Sequence, residues 1–225
     1  MSIGGLHLHK YRYILFDLDG TLTDPGKGII NSLIYALEHF GIKGNPQLLR
    51  RFIGPPLIDS FMRYYDFSES RAKKAIDYYR EYFRRRGIFE NTVYPGIPGL
   101  LKSLKAQGRI LAVATTKPTV FARQILEHFE ISPYFNRELI VGSFLDGRRT
   151  EKAEIISAVL KRFEGDKSPK IMIGDRKYDI LGAKANNIDT IGVTYGYGDK
   201  EEIELTKPTL IVDSVSELTC LFCLE

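Results

Sequence analysis

The second half of the chain alternates short apolar runs with segments of helical periodicity, and this alternation most constrains the fold. From residue 91 onward the helical segments span 119–130, 150–163 and 178–186, and the apolar runs are RILAVAT (109–115), ELIVG (138–142), KIMIG (170–174), TIGVT (190–194) and TLIV (209–212). Strands that are apolar throughout are typical of a parallel sheet covered by helices on both faces. The sequence therefore predicts an α/β fold.

One further strand and a helical insertion precede this region. YILF (13–16) is a short apolar run followed at once by Asp and Gly, which predicts a buried strand of the same sheet. Residues 26–87 have helical periodicity without strand signals. We therefore predict a core domain formed by 1–24 and 89–225, with an all-helical cap domain, 25–88, inserted after the first strand.

The composition is that of an ordinary soluble globular protein, with 44% apolar and 27% charged residues. No apolar run approaches the roughly 20 residues that span a bilayer, and MSIGGLHLHKYRY has no basic-then-apolar leader. We expect a cytoplasmic protein without a membrane partner. Cys220 and Cys223 have C-x-x-C spacing, but a structural zinc ion needs about four ligands, so we expect two apolar thiols in a C-terminal helix.

The net charge of +4 is unevenly distributed. Residues 25–88 hold 12 Lys or Arg against 6 Asp or Glu, whereas the rest of the chain holds 20 against 22. This basic segment could attract an anionic small molecule or a nucleic acid. Its densest part, Arg84 to Arg86, ends a predicted helix, where positive charge complements the helix dipole. We interpret it as a solvated surface and expect no nucleic-acid partner.

Two aspartates stand directly behind the first strand. In extended chain Asp17 and Asp19 project to the same side, roughly 7 Å apart, and two carboxylates facing one spot need a cation, a shared proton or solvent. The alternative is a simple turn in which Asp and Gly satisfy backbone groups.

Polar residues also follow other predicted strands, and in an open parallel sheet ligands bind beyond the carboxyl ends of the strands. These residues are Thr115, Thr116 and Lys117 after ILAVA, Asp175 and Asp179 after KIMIG, and Lys152 in a later helix. Carboxylates at two strand ends would hold a hard cation, with Mg²⁺ the obvious candidate, and the absence of nearby Cys or His disfavours zinc. A hydroxyl, an ammonium group and backbone N–H groups near Gly20 would suit a phosphoryl group.

Four motifs resemble those of the haloacid dehalogenase-like phosphohydrolases in order and approximate spacing: DLDGTLTD, the apolar run ending in Thr115, the later Lys152, and GDRKYD. FIGPPL (52–57), VYPGIPGLLKSLKAQG (93–108), ATTKP (114–118) and VTYGYG (193–198) are similar to the phosphoglycolate phosphatase and 5′-nucleotidase-like branch, which has a helical C1-type cap. The resemblance implies a Rossmann-like parallel sheet covered by helices, with the cap inserted.

The resemblance also implies a role for each acidic residue. Asp17 would be the nucleophile, and Asp19 would be the general acid and base. Mg²⁺ would bind the carboxylate of Asp17, the backbone carbonyl of Asp19, and Asp175, with Asp179 assisting or orienting.

The phosphoryl oxygens would contact Gly20, Thr115, Thr116 and Lys152 by the same resemblance. Thr116 stands where many relatives carry Asn, which affects a secondary contact only. Arg176 and Lys177, between the two acids of GDRKYD, could screen the acidic cluster or face solvent.

Substrate choice would depend on the cap. The loop RRFIGPPL could line the substrate pocket through Arg51, Ile53, Gly54 and Pro55, or could be an ordinary connection between helices. Four cap aromatic residues at helical spacing are interpreted as packing between helices and not as a base-stacking platform: Tyr78, Tyr79, Tyr82 and Phe83.

We therefore predict a Mg²⁺-dependent phosphatase that hydrolyses a small phosphorylated metabolite, phosphoglycolate-like or a nucleoside monophosphate, through an aspartyl phosphate. The alternatives are a phosphomutase of the β-phosphoglucomutase type, which excludes water from the phosphoenzyme, and a catalytically silent binding protein on the same scaffold. A nucleic-acid-binding module is the weakest alternative. The sequence indicates no oligomeric state.

Overall fold

The computed structural model describes residues 8–223. These residues divide into two compact units, one formed by the chain up to Leu22 and from Tyr94 onward, the other by Thr23–Val93. No helix among the described residues combines the length and the apolar character needed to cross a membrane.

The strands of the described chain are β1 (Tyr13–Phe16), β2 (Thr23–Asp24), β3 (Thr92–Val93), β4 (Ile110–Pro118), β5 (Ile140–Ser143), β6 (Lys170–Gly174), β7 (Asp189–Val193) and β8 (Leu210–Val212). The α-helices are α1 (Gly26–Glu38), α2 (Pro46–Leu49), α3 (Leu57–Tyr65), α4 (Glu69–Tyr82), α5 (Ile97–Ala106), α6 (Thr119–His128), α7 (Lys152–Leu160), α8 (Lys177–Ala185), α9 (Lys200–Leu205) and α10 (Val215–Cys223).

The first unit is built on a six-stranded parallel sheet in the order β5-β4-β1-β6-β7-β8. Phe16, the last residue of β1, is in register with Val113 of β4 and Ile173 of β6. The residues that follow these three positions therefore lie at one edge of the sheet. The predicted parallel α/β sheet is confirmed.

Both faces of β1 are buried, which is why all four of its residues are apolar. Tyr13 and Leu15 belong to a cluster with residues of α7 and α8, including Ile155 and Ala183. Ile14 and Phe16 point to the other side, because side chains alternate along a strand, and they are buried as well.

The second unit contains α1 to α4 and a two-stranded antiparallel ribbon of β2 and β3. The sequence does not predict this ribbon, because four residues are too few to show a periodicity. Two of the four aromatic residues contact another helical segment: Tyr78 stacks on His39 at 3.9 Å between ring centroids, and Tyr82 lies 5.5 Å from Tyr35 of α1. Tyr79 stacks on Phe83 at 5.5 Å within a single helical segment.

Two surface predictions concern charge and thiols. Arg84, Arg85 and Arg86 are exposed, and Arg85 forms an ion pair with Glu81 within its own helical segment, in agreement with a solvated surface. Cys220 is an exposed free thiol of α10. The side chain of Cys223 lies outside the described residues.

Candidate active site

Asp17 is the first residue after β1, and both its backbone and its carboxylate form contacts that fix its position. Its backbone N–H donates to the carbonyl of Ile173 (2.9 Å), and its carboxylate Oδ1 lies 2.7 Å from Lys152 Nζ. Lys152 is the first residue of α7, and its buried ammonium also lies 2.7 Å from Asp179 Oδ1 and 3.0 Å from the carbonyl oxygen of Ala114. One lysine thus connects the first residue after β1, the backbone of β4 and the first turn of α8.

Asp175 and Asp179 complete the acidic cluster. Asp175 is fully buried; its Oδ2 accepts from the Tyr197 N–H (2.7 Å) and its Oδ1 from the Thr21 hydroxyl (3.3 Å). Asp179 lies in the first turn of α8, where its Oδ2 accepts from the backbone N–H of Arg176 (3.0 Å). Backbone donors therefore fix the orientation of both carboxylates.

Asp17, Asp175 and Asp179 bring one oxygen each within 4.8 Å of one another. Burial and the two neighbouring aspartates raise the pKa of Asp175 well above its usual 3.8. Burial also raises the pKa of Asp179 to about 6, although Lys152 opposes this. The cluster holds three carboxylates, and the Lys152 ammonium group pairs with two of them, Asp17 and Asp179. It therefore has the oxygen donors and the excess negative charge that suit a hard divalent cation.

Lys152 remains charged in this surrounding. Burial lowers the pKa of its ammonium group, but Asp17 and Asp179 outweigh burial, and the net change is upward. A permanent positive charge beside Asp17 suits the binding of an anionic group there.

Asp19 forms a separate ion pair. Its Oδ2 lies 2.7 Å from Nζ of Lys117, while its Oδ1 is buried without a hydrogen-bond partner among the described residues. Burial raises the pKa of Asp19; Lys117 opposes the change, and the charge of Asp17 adds to it. Sequence reasoning placed Lys117 at a strand end but assigned it no role. Its period-two spacing from Thr115 along β4 is a signal that could have indicated one.

Position 20 requires glycine because of its backbone conformation and its close packing. Its φ is +88°, a region that favours glycine, and a Cβ atom there would lie 2.1 Å from Asp175 Oδ2. The loop after β7 also packs closely here, since a Cβ atom on Gly196 would lie 2.4 Å from the Asp175 Cβ. The resemblance covers this loop, but reasoning from the sequence did not identify its backbone contact with Asp175.

The remaining predicted residues are divided between the two units. Thr115 is buried, and its Oγ1 accepts from the Lys117 N–H (3.2 Å); the carbonyl of Thr116 accepts from the Ser143 hydroxyl (2.8 Å). In the other unit the loop residues lie between α2 and α3, with Ile53 buried and Arg51 exposed: Arg51, Ile53, Gly54 and Pro55. Their part in substrate binding stays a prediction.

Of the two basic residues between the acids, Arg176 is held by Glu202, with Nε 2.9 Å from Oε1. The backbone N–H of Lys177 donates to the same carboxylate (3.0 Å), and this residue is exposed. Lys177 therefore fits the alternative in which the residue faces solvent.

The sequence model of the haloacid dehalogenase-like hydrolase family matches residues 14–193 of the 225 in the chain. The chain belongs to the haloacid dehalogenase-like hydrolases. The match includes all of the residues that the sequence predicts for the catalytic edge of the sheet, from Asp17 to Asp179.

Relatives of this haloacid dehalogenase-like hydrolase cover most of its length. It is 48% identical over 202 residues to a Pseudomonas aeruginosa protein named 5′-nucleotidase, with 89% of this chain and 90% of the relative covered. It is 38% identical over 204 residues to a protein of Mycobacterium tuberculosis named tyrosine-protein kinase PtkA, with 90% of this chain and 69% of the relative covered. The crystal structure of a predicted phosphatase from Clostridium acetobutylicum superposes with a TM-score of 0.87 at 51% identity, covering 93% and 96% of the two chains.

Proposed function

We propose that this hydrolase is a Mg²⁺-dependent phosphatase that acts on small phosphomonoesters through an aspartyl phosphate on Asp17. The observation that carries the proposal is the position of Asp17, which lies against the Lys152 ammonium group and in a buried cluster with Asp175 and Asp179. The name of the Pseudomonas aeruginosa relative, 5′-nucleotidase, supports a nucleoside monophosphate as the first substrate to test.

The residues present fit Mg²⁺, since the cluster offers buried carboxylate oxygens in excess of the one ammonium group. The carboxylates of Asp17, Asp175 and Asp179 and the backbone carbonyl of Asp19 would hold the ion. When bound, Mg²⁺ supplies positive charge that offsets the charge of the transferring phosphoryl group.

In the first step the carboxylate of Asp17 attacks phosphorus, and Asp19 gives a proton to the leaving oxygen. Lys152, with the backbone at Gly20 and the hydroxyls of Thr115 and Thr116, holds the phosphoryl oxygens and offsets their charge. In the second step Asp19 takes a proton from the water that hydrolyses the phosphoenzyme. A buried carboxyl group whose pKa is raised suits this alternation between acid and base.

Substrate binding would also use the inserted unit. Residues 25–88, the proposed cap, have an excess of basic residues, 12 against 6, which suits an anionic substrate. Arg51, Ile53, Gly54 and Pro55 are the residues of this unit that we propose to contact the substrate. We also propose that the enzyme acts in the cytoplasm.

The test is phosphate release from nucleoside monophosphates, phosphoglycolate and p-nitrophenyl phosphate by wild type and Asp17→Asn, in Mg²⁺ and in EDTA. We expect hydrolysis by wild type in Mg²⁺ only and a loss of at least about 10³-fold in Asp17→Asn. Asp77→Asn, an exposed aspartate of α4, is the matched control. Equal hydrolysis by wild type and Asp17→Asn, or none by either, contradicts the proposal.

Two further reactions are distinguished in the same assay. Release of phosphate without a phosphorylated activator argues against a phosphomutase. Incubation with ATP and a tyrosine-containing protein tests the activity in the name of the Mycobacterium relative. Transfer to tyrosine without transfer to water would contradict a phosphatase.

A further inference from the structure

Lys117 and Asp19 form a nearly enclosed ion pair within the core unit. The side chain of Lys117 is 6% exposed and that of Asp19 is 15% exposed, and Nζ lies 2.7 Å from Oδ2. Lys117 belongs to β4, and Asp19 follows β1, its neighbour in the sheet. The pair therefore ties the loop after β1 to the end of the adjacent strand.

The two carboxylate oxygens of Asp19 have different surroundings. Oδ2 faces the ammonium group, whereas Oδ1 is buried with no hydrogen-bond partner among the described residues. Because most buried polar atoms are hydrogen-bonded, an oxygen without a partner in a reactive centre requires an explanation. A substrate oxygen or the attacking water would supply the missing partner.

We propose that Lys117 is a positioning residue that holds Asp19 through Oδ2, so that Oδ1 carries the proton in both steps; this inference rests on the proposed function. In the first step an Asp17 oxygen bonds to phosphorus and the ester P–O bond breaks, while Oδ1 releases its proton to the leaving oxygen. In the second step a water oxygen bonds to phosphorus, the acyl-phosphate P–O bond breaks with its electrons returning to Asp17, and Oδ1 receives the proton of the water.

The alternative role for Lys117 is direct binding of the phosphoryl group. Lys152 already places an ammonium group against Asp17, whereas Nζ of Lys117 lies against Asp19. The observed contact therefore favours positioning of Asp19 over contact with phosphate.

The two roles differ in which step they affect. Without Lys117 the Asp19 carboxylate is free to rotate, and a displacement of about 1 Å can slow a reaction on the order of 10²-fold. Formation of the phosphoenzyme from p-nitrophenyl phosphate depends little on proton donation, because p-nitrophenolate is a good leaving group. Hydrolysis of the phosphoenzyme still needs the base, so it becomes the slow step.

The experiment is stopped-flow hydrolysis of p-nitrophenyl phosphate in Mg²⁺ by wild type, Lys117→Met and Lys117→Arg, with Lys102→Met, an exposed lysine of α5, as the matched control. For Lys117→Met we expect a burst of about one p-nitrophenol per site, followed by a steady state slower on the order of 10²-fold. Lys117→Arg should recover part of kcat, and Lys102→Met should match wild type. If Lys117→Met does not fold, Lys117→Gln serves for the same measurement.

A raised KM without a burst would assign Lys117 to substrate binding, and unchanged kinetics would leave it without a role; either result overturns the inference. Failure of the proposed function is separate, because it would show as wild-type activity that is absent or independent of Asp17.

Discussion

Replacement of Asp179 by asparagine should stabilise the metal-free protein while weakening its activity. Asp179 is buried, and its pKa of about 6 exceeds the usual 3.8. At about 1.4 kcal/mol per pH unit, ionised Asp179 therefore lowers the free energy of unfolding by about 3 kcal/mol. Asparagine has no charge, but its single oxygen cannot serve both the Arg176 N–H and Lys152, which costs about 1 kcal/mol. The expected net gain is about 2 kcal/mol at pH 8.

The gain should depend on pH in a defined direction. A carboxyl group whose pKa is raised on folding leaves stability unaffected below the unfolded pKa, near 4, and reduces it as the pH rises toward the folded pKa, near 6. At pH 5 about half of the 3 kcal/mol cost is present, so the advantage of Asp179→Asn should fall below about 1 kcal/mol.

The assay is urea unfolding of wild type, Asp179→Asn and the control Asp77→Asn in EDTA at pH 5 and pH 8, repeated at pH 8 with saturating Mg²⁺. Mg²⁺ at about 100 times its Kd should stabilise wild type by about 2.7 kcal/mol and the variant by less, so the advantage of the variant should shrink. The kcat/KM of the variant should fall. A variant in EDTA that is no more stable than wild type at pH 8, or whose advantage is equal at pH 5, would refute the reasoning.

Three further substitutions have defined outcomes. Gly20→Ala places a Cβ atom 2.1 Å from Asp175 Oδ2 at a φ of +88°. The free energy of unfolding in urea should therefore fall by about 1–3 kcal/mol, and activation by Mg²⁺ should weaken. Wild-type values of both quantities would contradict this close packing. Lys152→Met should lower kcat on the order of 10³-fold, because the phosphoryl oxygens lose their ammonium partner. It should also destabilise the metal-free protein more at pH 8 than at pH 5, because at pH 5 the carboxylates that lose Lys152 can take up protons. An equal loss of stability at both pH values would contradict this prediction. Tyr195→Phe removes the hydrogen bond to the Thr21 carbonyl (3.0 Å), so the free energy of unfolding should fall by about 1 kcal/mol. An unchanged free energy of unfolding would contradict a contribution from this bond.

The sheet could be predicted from the sequence because its strands are buried on both faces. The last four residues of β6 and of β7 are buried, and they read IMIG and TIGV, with Thr190 as the single polar side chain. Helix α5 was harder to predict, since its first turn holds Pro98 and Gly99, residues that usually mark a turn. Helix α9, KEEIEL, is six residues long with one buried residue, too short for an apolar stripe.

The acidic residues of the site could be predicted because they follow the strands that topology brings to one edge. The partner of each acidic residue could not be predicted, because no local pattern reports which atoms meet across the sheet. Lys117 of β4 contacts Asp19, which follows the adjacent strand β1, and the Tyr197 N–H donates to Asp175 from a loop 22 residues away. Contacts of this kind depend on the packed backbone, which glycines such as Gly196 allow to approach closely.

If Asp17 carries the phosphoryl group during turnover, the phosphoenzyme can be trapped and located in the chain. Asp19→Asn should still react with p-nitrophenyl phosphate, whose leaving group needs little protonation, but should hydrolyse the phosphoenzyme slowly. After acid quenching and proteolysis, mass spectrometry should locate a phosphoryl group on Asp17, and none when Asp17→Asn is added to the variant. A phosphoryl group on another residue, or phosphate release without any phosphorylated peptide, would contradict the account.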